Sequence, residues 1–206
     1  MSENIKIIGF PRTGNQWFLL ELCYLTLDPV TDDFFDWSRI IFSHDHQLNL
    51  EINHPIVYLC RNPLETVYSR MVADRNWHQQ NGKFHLMKDR KFRMQEYRNH
   101  LEKFYNSNNL IITYKQQKLL HRETLEQAID FLNLRESYEM KGGFSHYVQT
   151  PRIDKEKVIE FIKPQNSEYY NYYLLREYYA KNRQKFIEKH RDEFLEYFKD
   201  YPELFE

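Results

Sequence analysis

Apolar positions along the chain alternate between two spacings. Short runs of β-branched and aromatic residues give way to longer stretches with helical periodicity. Ile5, Ile7 and Ile8 form the first run and read as a strand covered on both faces. Pro11 and Gly14 punctuate it. Trp17, Phe18, Leu20, Leu22, Leu25 and Leu27 then predict a helix over 15–27, packed tightly on a sheet. Residues 28–37, with Phe34 and Phe35, read as a loop with an aromatic patch. Further strands are predicted over 39–44, 55–60 and 109–114. Asn62-Pro63 signals a helix start, a capping Asn before Pro at the first helical position, with Glu65 in the first turn. Leu64, Val67, Tyr68, Met71 and Val72 give that helix its apolar face. Helices over 86–105, 123–134, 154–161 and 168–198 complete the pattern. Such alternation predicts an α/β fold with a parallel sheet flanked by helices. The length favours a single domain, its core over about residues 4–134 and a helical C-terminal part over about 154–206.

In parallel α/β sheets, ligands bind outside the carboxyl ends of the strands. Those ends carry the polar residues here: Arg12 and Thr13, then His44, Arg61 and Tyr114. A helix starting at Asn15 presents backbone N–H groups and a positive dipole end, which suits a phosphate-type anion. The rim as a whole suits a nucleotide-like ligand with more than one anionic group. Gly9 and Gly14 have the spacing of the phosphate loop G-x-x-x-x-G-K-[ST]. Asn15-Gln16 stand where Lys and Ser/Thr belong, so this is not an ordinary ATP or GTP loop.

Composition narrows the classes. The 29 basic and 30 acidic residues nearly cancel, which argues against an overall basic nucleic-acid binder. Aromatics make up 17% of the chain. Cys23 and Cys60 lie in apolar surroundings and read as buried free thiols, with no disulfide framework or zinc spacing. Ser43-His44-Asp45-His46 with His54 lacks ligand-grade spacing on one element, so no metal is expected. No apolar run is long enough to cross a membrane and no signal peptide is read, so a cytoplasmic setting is expected. Nothing in the pattern sets an oligomeric state.

The segment Gly9-Phe10-Pro11-Arg12-Thr13-Gly14-Asn15-Gln16-Trp17 resembles the 5′-phosphosulfate loop of sulfotransferases, usually Tyr-Pro-Lys-Ser-Gly-Thr-Thr-Trp. Residues 56–69 resemble the family's 3′-phosphate segment, with Arg61 at a strand end and Ser69 eight residues on. Residues 39–44 resemble the strand carrying the family's catalytic His, and residues 110–134 its adenine-side Tyr strand with the following helix. The departures are Arg12 for Lys, Asn15-Gln16 for Thr-Thr, Phe42 for the Lys before the His, and Lys115-Gln116 for the acidic pair after the Tyr. No clear Arg-Lys-Gly-x-x-Gly motif is present.

The resemblance implies a P-loop-like three-layer fold. It also implies transfer of a sulfonate group from 3′-phosphoadenosine 5′-phosphosulfate (PAPS) to a hydroxyl or amine, releasing 3′-phosphoadenosine 5′-phosphate (PAP). His44 would act as general base, with Asp45 and His46 as adjacent competitors, and Arg12 would stabilise the leaving group. Arg12, Thr13, Gly14, Asn15, Gln16 and Trp17 would hold the 5′ end, Arg61 and Ser69 the 3′-phosphate, and Tyr114 the adenine. The acceptor would be a small molecule or carbohydrate. A related kinase and a nucleotide-binding protein without catalysis remain the alternatives.

Overall fold

The computed structural model describes residues 5–26, 29–31, 34–35, 41–43, 48–80, 89–140, 142 and 176–206. Its centre is a four-stranded, wholly parallel sheet in the order β4-β1-β5-β6. The strands are β1 (Ile5–Gly9), β4 (Ile41–Ser43), β5 (Val57–Cys60) and β6 (Leu110–Thr113). Between β1 and β4 the chain forms a small antiparallel hairpin of β2 (Pro29–Thr31) and β3 (Phe34–Phe35), where a loop is expected from sequence.

Strand side chains alternate between two helix layers. Ile7, Val57, Leu59 and Ile112 face one core with α1 (Asn15–Thr26), α5 (His121–Phe131) and Tyr138 of α6 (Arg135–Met140). Ile8, Tyr58 and Cys60 face the other with α2 (Pro63–Gln80), α3 (Arg90–Phe104) and the C-terminal helix α7 (Arg176–Tyr197). Every residue of β5 is buried, as expected of an interior parallel strand. Cys60 is buried here as a free thiol, and desolvation pushes it well above the ordinary thiol range. The side chain of Cys23 lies outside the described residues, as does the helix expected over 154–161.

The order β4-β1-β5 places the site. After β1 the chain supplies a strand on one side of it, then crosses to the other side for β5. The helix after β1 packs on one face of the sheet and the helix after β5 on the other. The turns leaving β1 and β5 therefore flank a reversal of strand order at the carboxyl ends, the place where such folds bind ligands.

Candidate functional site

The turn after β1 is stapled from inside. Asn15, first residue of α1, folds its amide back under the strand end and donates from Nδ2 to the carbonyls of Phe10 (3.0 Å) and Gly9 (3.2 Å). The Thr13 hydroxyl lies 2.7 Å from the Phe10 carbonyl and 2.6 Å from Asn15 Oδ1, its single proton serving one of them at a time. A Cβ on Gly9 would fall 2.2 Å from Asn15 Oδ1, so the glycine is what admits the amide. The side chains of Thr13 and Asn15 thus shape the turn. The start of α1, with the positive end of its dipole, lies in the same turn, a feature that suits an anion.

Two residues of the turn are left-handed. Gly14 has φ 93, and a Cβ there would meet the Tyr114 ring at 2.7 Å and Gln117 Oε1 at 3.1 Å. Arg12 has φ 80, a conformation that costs a non-glycine residue on the order of 1 kcal/mol. From this backbone the Arg12 side chain crosses to α2 and donates from Nε to Ser69 Oγ at 3.2 Å.

The turn after β5 supplies the second cation. Asn62 caps α2, its Oδ1 accepting from Leu64 N at 3.0 Å, with Pro63 opening the helix as the sequence predicts. Arg61 donates from Nε to Glu65 Oε2 at 2.7 Å, makes a second bond to the same oxygen through Nη2, and donates from Nη1 to the Arg12 carbonyl at 3.4 Å. Its guanidinium lies over the Tyr114 ring, 4.3 Å from the centroid. The Lys118 ammonium lies 4.6 Å from the same centroid. Glu65 also pairs with Arg183 of α7. Burial, followed by the like charge of Arg61, lowers the Arg183 guanidinium from its ordinary value.

The structure thus brings Arg12, Thr13, Gly14, Asn15, Arg61, Ser69 and Tyr114 together at one rim. It differs from expectation in two respects. Arg12 and Ser69, expected at opposite ends of a ligand, are hydrogen-bonded to each other. Tyr114 opens α4 (Tyr114–Leu119) instead of ending a strand, because Thr113 and Gln116 form a capping box. The sequence carries that signal as Thr113-x-x-Gln116, and Lys118 follows Tyr114 at helical spacing. Arg183 gives no such signal, since it reaches the rim from a helix remote in sequence. His44 lies outside the described residues, as do the side chains of Gln16 and Trp17.

The donor set fits a polyanionic nucleotide. The cations Arg12, Arg61 and Arg183 gather where Glu65 is shared by two of them. Gln117 Nε2, in the side chain against Gly14, and Arg183 Nε are buried without a hydrogen-bond partner. The missing side chain at Gly14 is what admits the Tyr114 ring and Gln117 against the turn.

A family model described as the sulfotransferase domain matches residues 35–201, which include Arg61, Ser69, Tyr114 and Arg183 but not the turn after β1. Among solved structures, the chain is similar to mouse sulfotransferase SULT7A1 complexed with PAP, at 17% identity and a TM-score of 0.39. That match covers 70% of this chain and 65% of the mouse chain. No curated protein matches the sequence.

Proposed function

The chain belongs to the sulfotransferase-domain family, and from that premise we propose that it transfers a sulfonate group from PAPS to a hydroxyl or amine of an acceptor. The observation that carries this reading is the meeting of Arg12, Arg61, Ser69 and Tyr114 at the carboxyl ends of β1 and β5. PAPS supplies the activated sulfonate, with PAP as its leaving group. Arg61 and Ser69 hold the 3′-phosphate, and Arg183 adds positive charge beside them. The first-turn N–H groups of α1 hold the 5′ end. Arg12, placed between the two turns, stabilises charge on the leaving phosphate. Its guanidinium stays protonated, so it acts as a fixed charge and not as a proton donor. Tyr114 and Trp17 offer aromatic faces to the adenine.

His44 accepts the proton of the acceptor group, a task suited to imidazole near neutral pH. The acceptor is a small molecule or carbohydrate, and the setting is the cytoplasm. No helix among the described residues is long and apolar enough to cross a membrane. The test is calorimetric titration with PAP and with adenosine 5′-phosphate. PAP is expected to bind at least about tenfold more tightly, since a single charge-assisted contact accounts for that much. Absence of PAP binding, or equal affinity for the two nucleotides, would overturn the proposal.

Arg12 offers a second test, because its backbone and its side chain pull in opposite directions. Arg12→Gly relieves the left-handed strain but loses the bond to Ser69, each worth on the order of 1 kcal/mol. Thermal melting is expected to stay within about 3 °C of the unmodified chain. The kcat/KM for PAPS is expected to fall about 10- to 100-fold, the loss of one or two charge-assisted contacts. Full activity after the substitution would remove Arg12 from the site.

A further inference from the structure

Tyr97 stands on α3, far in sequence from both turns, yet its phenol grips the backbone of Arg61 at both polar atoms. The Arg61 N–H donates to Tyr97 Oη at 3.1 Å, and the Tyr97 hydroxyl donates to the Arg61 carbonyl at 2.7 Å. Arg61 lies just past the last residue of β5, where ladder pairing has ended. The phenol takes the place of the missing strand neighbour. The Tyr97 ring packs against Phe10, with centroids 4.8 Å apart. Phe10 opens the other turn, and its carbonyl anchors Thr13 and Asn15. Tyr97 and Phe10 are both fully buried. One side chain therefore touches both turns, through its ring on one side and its hydroxyl on the other. Desolvation keeps the phenol proton on well above its ordinary range, so the donated bond persists at every working pH.

Resting on the PAPS reading above, we propose that Tyr97 is a positioning residue for the 3′-phosphate half of the site. Its hydroxyl fixes the Arg61 backbone relative to the Phe10–Gly14 turn, so that both turns meet the ligand's anionic groups at once. Glu65 orients the guanidinium, and Tyr97 sets where that guanidinium starts from.

Tyr97→Phe keeps the ring and removes both hydrogen bonds. Calorimetry on the full chain is expected to show PAP binding about tenfold weaker, with affinity for adenosine 5′-phosphate unchanged. The PAP-to-AMP ratio, which reads the 3′-phosphate alone, therefore falls. Equal weakening of both nucleotides would make Tyr97 a general core contact and overturn the inference, as would unchanged PAP affinity. A wild-type chain that does not prefer PAP would overturn the PAPS reading itself, and this inference with it, before any substitution is made. Hydrogen exchange at the Arg61 amide of the wild-type chain reads the same bond if Y97F does not fold. Protection without nucleotide is expected, and free exchange would overturn the inference.

Discussion

Arg61→Ala is expected to weaken PAP binding by about 100-fold, two lost charge-assisted hydrogen bonds at about 1.5 kcal/mol each. Affinity for adenosine 5′-phosphate is expected to change far less. The reason lies in what surrounds the guanidinium. Arg61 is bound through Nε and Nη2 to Glu65 and rests on the Tyr114 ring, so its position is fixed before a ligand arrives. Removing it takes away that preset cation. It also leaves Glu65, now paired with Arg183, as a carboxylate facing an incoming phosphate. Arg61→Lys restores the charge but not the planar fork, and should recover only part of the affinity. Titration of the three proteins with both nucleotides decides the matter. Equal losses for PAP and adenosine 5′-phosphate would mean that Arg61 supports the fold and does not read the 3′-phosphate.

The largest effect on turnover is expected at His44. An acceptor alcohol is a poor nucleophile while protonated, and a positioned base contributes about 100- to 10,000-fold in rate. His44→Ala should lower kcat by that amount and leave the PAP dissociation constant within about threefold, since a base that touches only the acceptor adds nothing to nucleotide binding. Single-turnover transfer of labelled sulfonate measures the first quantity and calorimetry the second. A fully active His44→Ala would move the base to a neighbour. His46→Ala is the next variant to make.

Much of the site was legible because its residues sit where chain geometry leaves few choices. Ile5, Ile7 and Ile8 mark a buried strand, and Gly14 a turn, so the strand-turn-helix corner after β1 follows from pattern alone. Asn62-Pro63 fixes the start of α2 and hence the direction in which Ser69 points. What sequence did not carry were contacts between remote elements. The partners of the Thr13 hydroxyl and the Asn15 amide depend on a close approach to the strand end that Gly9 permits, and no local pattern encodes it. Arg183 and Tyr97 reach the rim from helices whose amphipathic spacing says which face is buried, but not which polar tip meets which turn. The Arg12–Ser69 bond arises because a left-handed backbone redirects a long side chain, and arginine is a residue for which that conformation is uncommon. The hairpin of β2 and β3 leaves no clear pattern because its strands are only three and two residues long.

The position of β1 has a consequence for how the protein comes into being. The strand nearest the N-terminus is an inner strand of the sheet, and both of its neighbours, β4 and β5, are made later. During synthesis it waits for the chain to reach Cys60 before its second edge can be paired. Until then its run of Ile side chains and its open edges are exposed, the condition that invites association between nascent chains and the attention of chaperones. The central place that makes the β1 turn a rigid support also leaves its strand incompletely paired until two later strands have been made.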